Sequence, residues 1–466
     1  MVRFLLNNQL VETNLPPETT LLDFVRYEAG LRGTKIGCRE GDCGACTVLV
    51  GTPEDEKVLY KTVTSCLTPL ANIYGRHVVT IEGLTSGELN PVQQAMMEHS
   101  GTQCGFCTPG FVVSLCGFAL QAREKPGFAE AIGAMDGNIC RCTGYKSIER
   151  AAATITAKLQ QRNGEPSLEW LVNEGFVPAY FQTAGERLAA MAPLEMPNGQ
   201  VPIGGGTDLY VQQHDNLHQM PLKFVLAGNK AESIRISENE CLIPGETTVT
   251  ELMQFEPLQT AIPGWFDYMK LVSSTPIRNM ATLAGNLVNA SPIGDLTIIF
   301  LALDAKITLE NAAGVRREIP LKDFYLGYKK MEKAADEILM QIAFKLPAKN
   351  QRFHFEKVCK RPFLDIASVN TAIGLMVENE TITAAHCSMG GVAPIPQFLQ
   401  KTSSLLSGQK ITATLVKEAA IVMLTEISPI SDVRGTASYK QLLARQLFYS
   451  HFLTLFPHAI KMHDLL

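Results

Sequence analysis

Eight of the twelve cysteines fall into two tight groups. The first reads Cys38-x4-Cys43-x2-Cys46 and then, after nineteen intervening residues, Cys66. The second reads Cys104-x2-Cys107 and then, after thirty-two intervening residues, Cys140-x-Cys142. Four thiolates match the four ligand positions of a 2Fe-2S cluster, and a C-x4-C-x2-C run with a distant fourth Cys is a spacing such clusters use. Zinc is the rival ligand, because CxxC is also zinc grammar, but zinc sites normally pair two short knuckles. The first group has no second knuckle. The second group, by spacing alone, leaves zinc open. Two clusters so close in sequence would form a wire for single electrons. Cys116, Cys241, Cys359 and Cys387 share no spacing and read as small buried hydrophobes.

The elements around each group differ in kind. Val2, Phe4 and Leu6 alternate, and a turn at Asn7-Asn8 separates two predicted strands. Gly37 to Ala45 is a glycine-rich loop, after which Thr47 to Val50 resumes extended structure. Gly37, Gly41 and Gly44 can take positive φ and turn backbone N–H groups toward sulfur. Such hydrogen bonds are one lever on a cluster's reduction potential. From residue 79 the pattern turns helical. Asn90-Pro91 is a cap and first-turn pair. Apolar helices are predicted directly after Cys107-Thr108-Pro109-Gly110 and, over Ile148 to Leu159, after Cys140 to Gly144. A helix start favours anionic thiolates, which moves the balance for the second group toward a cluster held by a helical bundle.

The whole chain has 466 residues, 46% hydrophobic and 19% charged, with net charge −5. This suits about three globular domains. No basic run marks a nucleic-acid footprint, and no stretch reaches the ~18 apolar residues of a membrane span. The first residues lack a signal peptide's apolar region, so a reducing cytoplasm is expected, where thiolates bind metal and do not pair. Gln160 to Pro166 is polar and reads as a linker. Strands and helices mix from 172 to about 347, and a smaller α+β unit follows Phe353, with strands at Ile366 to Val377 and Ile382 to Ser388 and helices near 413–426 and 437–455.

Two loops offer anion or sugar contacts. Val201-Pro202-Ile203-Gly204-Gly205-Gly206-Thr207-Asp208-Leu209 ends a hydrophobic run in three glycines, whose backbone N–H groups can cradle a pyrophosphate. It is neither the GxGxxG fingerprint nor a P-loop, and a plain tight turn is an equal reading. Arg278-Asn279-Met280-Ala281-Thr282-Leu283-Ala284-Gly285-Asn286-Leu287 leads into Asn289, Ser291 and Asp295, where small residues alternate with hydrogen-bonding ones. Together the loops read as a clasp for a diphosphate. A buried polar corner is the bland alternative. His214 and His218, four apart among polar neighbours, read as a surface loop and not as a metal pair, and Arg141 reads as solvated.

With these motifs on the page, the chain resembles the molybdenum hydroxylases, and within them the iron–sulfur and flavin subunit of the split bacterial form in the xanthine dehydrogenase family. Glu40-Gly-Asp-Cys-Gly-Ala-Cys-Thr-Val48, Gln103-Cys-Gly-Phe-Cys-Thr-Pro-Gly110 and Gly137-Asn-Ile-Cys-Arg-Cys-Thr-Gly-Tyr145 carry the resemblance most specifically. The two flavin-loop motifs and Arg434 to Lys440 extend it over the whole chain in order. The resemblance implies an α+β multidomain fold. A β-grasp, plant-type ferredoxin-like 2Fe-2S domain is expected over 1–78 and a helical-bundle 2Fe-2S domain over 79–160. A linker at 161–171 then leads to a two-lobed α+β FAD-binding domain at 172–347 and a C-terminal α+β flavoprotein domain at 350–466.

The same resemblance implies cofactors and roles. Cys38, Cys43, Cys46 and Cys66 would hold one 2Fe-2S cluster, and Cys104, Cys107, Cys140 and Cys142 the other. FAD contacts carry over to Pro202, Ile203, Gly204, Gly205, Gly206, Thr207, Asp208 and Leu209, and to Thr282, Leu283, Ala284, Gly285 and Asn286. Further contacts carry over to Asn289, Ser291, Asp295, Leu339 and Lys357, and Val272 matches a position that the family usually fills with an aromatic near the isoalloxazine ring. The helical-domain cluster is expected nearer the molybdenum and the other nearer the flavin. The chain is then expected to take electrons from a molybdopterin-binding large subunit and to reduce NAD+, its co-substrate, within a dimer of heterodimers. No side chain of this chain is needed as acid or base. The rivals are an aldehyde or another N-heterocycle as substrate, or an electron-transfer module with a quinone, ferredoxin or oxygen-handling acceptor.

Overall fold

The computed structural model describes residues 1–54, 57–85, 87–164, 167–191, 199–228, 232–361 and 364–465. Its contacts divide the chain into two units: Met1–Lys230 with Ser274–Ala281, and Ala231–Ser273 with Thr282–Leu466. This division runs through the segment 172–347 that the sequence reads as one domain.

In the first unit, strands β1 (Val2–Leu6), β2 (Gln9–Thr13), β3 (Thr47–Glu54), β4 (Lys57–Thr64) and β5 (His77–Val79) form a sheet in the order β2-β1-β5-β3-β4. β1 and β5 are parallel, and the other pairs are antiparallel. Asn7 turns β1 into β2 at φ 52°, a conformation Asn tolerates better than most residues. The helical turn that starts at Leu21 buries Leu21, Leu22 and Val25 against Phe4, Val48 and Val50.

The helices Pro91–Glu98, Thr108–Gln121, Phe128–Ala134 and Lys146–Leu159 follow. Asn90 starts the first with a reciprocal capping box to Gln93. Thr108–Gln121 is buried from Gly110 to Ala119 and is apolar on every side. At about 1.5–3 kcal/mol for each large apolar side chain removed from water, packing and not helix propensity holds it. Residues 167–173, whose first part the sequence assigns to the linker, instead form the helix Ser167–Asn173. Trp170 and Leu171 bury themselves in the same core, so hydrophobic anchoring overrides the polar run before it.

Strands β6 (Val201–Ile203) and β7 (Leu222–Phe224) pair in parallel. Ile203, Tyr210, Leu222, Phe224 and Met280 share one core with the β1–β5 sheet. The short helix Thr275–Arg278 lies in this unit too, tied by a buried ion pair from Arg278 to Asp136, 2.6 Å long with side chains 4% and 2% exposed.

The second unit holds an antiparallel sheet of β8 (Arg235–Ser237), β9 (Glu240–Pro244), β10 (Lys306–Glu310), β11 (Arg316–Pro320) and β14 (Ile338–Lys345), ordered β11-β10-β14-β9-β8. A hairpin joins β12 (Tyr325–Gly327) to β13 (Lys330–Met331). Strands β15 (Gln351–Val358), β16 (Val369–Glu378) and β17 (Thr381–Gly390) form a second antiparallel sheet, extended by β18 (Gln397–Phe398) and β19 (Gln409–Lys410). The helices Ala413–Glu426 and Ala437–Leu455 pack on it. The fold class is therefore the expected multidomain α+β. Among the described residues, no helix is long and apolar enough to cross a membrane.

Candidate cofactor sites

The loop between the first helical turn and β3 gathers the first four thiols. Arg39, at φ 57°, reaches back in a two-pronged ion pair to Asp23, with contacts of 3.1 and 2.6 Å. Thr20 Oγ1 donates to the same carboxylate. The Cys38 N–H points at Cys43 Sγ over 3.4 Å, and the Glu40 N–H at Cys38 Sγ over 3.3 Å. Gly41 and Gly44 take φ of 80° and 66° as expected. Gly37 does not. Its need for glycine is space, since a Cβ there would lie 2.5 Å from Cys43 Sγ.

The thiols sort into pairs. The Cys43 thiol and backbone N–H groups pull Cys38 down to about 5, and the same contact with Cys38, with burial, raises Cys43. Cys66 holds Cys46 low, and Cys46, with burial, raises Cys66.

In the second group, Cys104 pairs with Cys142 and Cys107 with Cys140. A Phe106 backbone hydrogen bond and the Cys142 thiol lower Cys104, and burial with the Cys140 contact pushes Cys107 up to about 12. Cys107 stands at the cap of the helix Thr108–Gln121. Thr143 brings its hydroxyl to 3.1 Å and its N–H to 3.4 Å from Cys140 Sγ, and the Cys140 N–H donates to the Tyr145 hydroxyl at 3.1 Å. Tyr145, in the left-handed region at φ 67°, turns the chain into the helix Lys146–Leu159.

A two-plus-two arrangement fits a binuclear cluster, in which each iron takes two cysteines. Among the described residues, no group of three or more His, Cys, Asp and Glu side chains closes on a single ion. The donor set therefore fits two 2Fe-2S centres. His214 and His218 lie on a short 3-10 turn, Arg141 is exposed, and Cys116, Cys241 and Cys387 are buried. Cys359 departs from its buried expectation. It is half-buried and donates to the Arg361 carbonyl at 3.0 Å, because it lies just past the end of β15.

The flavin-loop residues are divided between the units. In the first, Gly204 follows β6, and Asn72 donates to its carbonyl at 2.8 Å. A Cβ on Gly205 would sit 2.1 Å from the Met280 carbonyl oxygen. Gly206 has φ 80°, and a Cβ there would sit 2.3 Å from the Leu67 carbonyl oxygen. The turn thus presses backbone against backbone, and Thr207, Asp208 and Leu209 then lead into the short helix Leu209–Gln212.

In the second unit, Thr282 caps the helix Leu283–Val288. The N–H groups from 283 to 286 are spent inside the chain, on Thr247, Gly245, the Thr282 hydroxyl and the Thr282 carbonyl in turn. This loop therefore offers side chains, not amides, to a ligand. Asn286 Oδ1 is buried without a hydrogen-bond partner, an acceptor that a bound flavin nucleotide could satisfy. Lys329 Nζ donates to the Asn289 side chain at 2.8 Å, and Ser291 Oγ accepts from the Ile293 N–H.

Lys357, its side chain 2% exposed, donates to Asp295 at 2.7 Å and to the Leu271 carbonyl next to Val272 at 2.6 Å. Asn370 donates to the same Asp295 carboxylate. Val272 and Leu339 are 2% and 3% exposed. Sequence reasoning missed Asn72, Lys329 and Asn370, which have no local motif. Each becomes visible only through a contact distant in sequence.

Four family models match in order: a 2Fe-2S iron-sulfur cluster binding domain over 4–71 and a 2Fe-2S binding domain over 80–153. The FAD binding domain in molybdopterin dehydrogenase matches 176–348, and the CO dehydrogenase flavoprotein C-terminal domain matches 354–455. Xanthine dehydrogenase from Blastobotrys adeninivorans is 28% identical over 95% of this chain and 40% of its own length. Xanthine dehydrogenase/oxidase from Gallus gallus is 27% identical over 99% of this chain and 40% of its own. The chain thus spans well under half the length of these relatives.

A solved carbon monoxide dehydrogenase from Hydrogenophaga pseudoflava shares the fold at TM-score 0.51 and 22% identity, covering 56% of this chain and 90% of that one. Quinoline 2-oxidoreductase from Pseudomonas putida 86 does so at 0.50 and 21%, with the same coverage. Two cysteine quartets, a flavin-domain match and relatives spanning nearly the whole chain converge, and the chain belongs to the molybdenum hydroxylase family, as an iron–sulfur and FAD member of it.

Proposed function

We propose that this chain is the electron-transfer and FAD part of a xanthine dehydrogenase-type molybdenum hydroxylase, receiving electrons from a molybdopterin-binding partner subunit and delivering them to NAD+. The observation that carries the proposal is the pairing of eight thiols into two quartets, each split two and two, in one chain that also matches a flavin domain. When bound, two 2Fe-2S centres and a flavin supply one-electron relay and its conversion to hydride transfer. Cys38, Cys43, Cys46 and Cys66 hold one centre, and Cys104, Cys107, Cys140 and Cys142 the other. Pro202 to Leu209, Thr282 to Asn286, Asn289, Ser291 and Asp295 would contact the flavin nucleotide, as would Val272, Leu339 and Lys357.

Lys357 keeps Asp295 paired and fixed through the Leu271 carbonyl, which sets the orientation of the carboxylate for a hydrogen bond. Cys104, Cys142, Phe106 and Tyr145 are exposed together, which supports this edge as the side met by the partner subunit. The pocket for the substrate, which is oxidised there, belongs to that partner. The compartment is the cytoplasm and the assembly a dimer of the two-chain units.

The test is anaerobic purification followed by titration. Loaded protein is expected to carry about four iron atoms, two per centre, and one FAD, and NADH is expected to bleach both flavin and cluster absorbance. Fully loaded protein that NADH leaves coloured would remove NAD+ and leave an electron-transfer module for another acceptor. Zinc in place of iron would end the reading altogether.

A further inference from the structure

A cavity of about 190 Å³ opens at the edge of the β15–β19 sheet in the second unit, and none of the residues assigned above to a cofactor lines it. Strand pairing explains its place. β17 pairs with β18 only at Ser388 and Met389, and with β19 only at Thr381 and Ile382. Between these points the helix Gln400–Leu406 lies against the strand. Ser403 Oγ accepts from the Cys387 N–H at 3.0 Å, and the Cys387 carbonyl accepts from the Leu399 N–H at 2.8 Å. Successive residues of a strand turn their N–H groups to opposite edges, so Ala385 turns its own to the edge that Cys387 uses. Among the described residues no strand pairs with Ala385 on that edge, and Ala385 lines the cavity.

The polar side chains around the cavity are held short of bonding distance. Asp304 Oδ1 lies 3.9 Å from Lys322 Nζ and 3.7 Å from His386 Nδ1, too far for a hydrogen bond to either. His386 Nδ1 is buried without a hydrogen-bond partner, which costs free energy unless a guest supplies one. Ser404 Oγ accepts from Gln400 Nε2 at 3.3 Å, so its own proton is available. The Phe398 ring stands beside them, its centroid 5.6 Å from Lys322 Nζ and 6.2 Å from that of the His386 ring. We propose that this cavity is a binding site for a small planar carboxylate, an acid built on one aromatic ring. Lys322 meets its charge, the His386, Ser404 and Ala385 protons bond its oxygens, and Phe398 takes its ring face. Liquid water would place about six molecules in such a volume, which is below the range of drug-sized ligands and suits a single ring with one acid group. Asp304 is half-exposed, so water screens its charge from such a guest. The inference does not depend on how the cofactors are read.

The experiment titrates the full chain, with its cofactors, with benzoate. Binding is followed by calorimetry and by the ring resonances of His386, assigned through His386→Gln. Saturable binding in the millimolar range or tighter is expected, with those resonances moving. Benzamide, the neutral twin, is expected to bind about tenfold more weakly than benzoate, the loss of one charge-assisted contact. Benzoate is expected to bind Lys322→Met about tenfold more weakly than the wild type for the same reason. Cyclohexanecarboxylate, which keeps the charge and loses the flat ring, is expected to bind several-fold more weakly, as is benzoate to Phe398→Leu. Iron and flavin contents stay unchanged in both variants, so failure here leaves the function proposed above untouched. No saturable benzoate binding, or equal affinity for benzamide, would overturn the proposal. So would unchanged binding in both Lys322→Met and Phe398→Leu, because benzoate would then sit elsewhere. If Phe398→Leu fails to fold, Ser404→Ala at the exposed rim takes its place, with a several-fold loss expected and an unchanged affinity overturning the proposal.

Discussion

Cys46 and Cys66 are 2% and 3% exposed in the core beneath the β1–β5 sheet, whereas Cys104 and Cys142 stand in solvent beside a helix start. The first quartet is buried and is held by groups outside its ligand loop. Ser65 ties itself to the Cys46 carbonyl, and Arg39 ties the loop to Asp23. The second is shaped by its own neighbours, through Thr143, Tyr145 and the cap position of Cys107. A site assembled from long-range contacts is protected by the stability of the whole unit. A site whose ligands stand at the surface on two short turns is open to solvent and to partners, and opens with those turns.

The sharpest way to break this contrast is Cys43→Ser. It is expected to abolish the first centre's resonance signal entirely, with the second centre and FAD retained. Two surviving cluster signals would show that Cys43 is not a ligand. Next in size, Gly205→Val forces a side chain against the Met280 carbonyl oxygen, a backbone atom. FAD content should fall to a small fraction while iron stays, and unchanged flavin content would mean that the glycine turn does not face the nucleotide.

A smaller, kinetic effect follows from exposure alone. An iron chelator added to oxidised protein is expected to strip the Cys104 quartet several-fold faster than the Cys38 quartet, read from the separate resonance signals. The reverse order would refute the local-against-global distinction.

The smallest effect belongs to the Arg39–Asp23 pair, whose side chains remain 35% and 27% exposed. Arg39 and Thr20 hold the Asp23 carboxyl below its usual range, against the opposing effect of burial. A lowered folded pKa stabilises the protein above the unfolded value, about 4, and the gain is lost as pH falls through the folded value. Asp23→Asn should therefore cost at most about 1 kcal/mol at pH 7, with the difference unchanged to pH 5 and closing below about 4. Thermal unfolding of both proteins across that range checks the sign. A gap that widened on acidification would assign the shift to another group.

Much of the site was legible in the chain because ligand spacing is a local property. Cys38 to Cys46 spans a single loop, and Cys104 to Cys107 a single turn, so the positions that bind metal are fixed before anything packs. Asn90 announced its helix for the same reason, as an oxygen-bearing side chain before Pro91. The glycines were legible as necessary but not always for the right cause, as Gly37 shows: its constraint is Cys43 Sγ, a neighbour created by the folded loop. The helix at Ser167–Asn173 was hidden because its polar approach resembles a linker until Trp170 finds a core.

What the sequence determined by itself is chemistry: eight thiols in two groups, a glycine turn and a loop of small and hydrogen-bonding residues, and the order of the parts. What only tertiary structure decided is distance and company. Asn279 donates to the Thr62 carbonyl across 217 residues, Asn72 to Gly204 across 132, and Ser274–Ala281 packs with the cluster-bearing unit although the residues on both sides of it belong to the other. Periodicity and spacing report which groups a segment carries, since those follow from backbone geometry over a few residues. Which distant group each one meets depends on how all the apolar surfaces are buried at once, and no short window of sequence contains that.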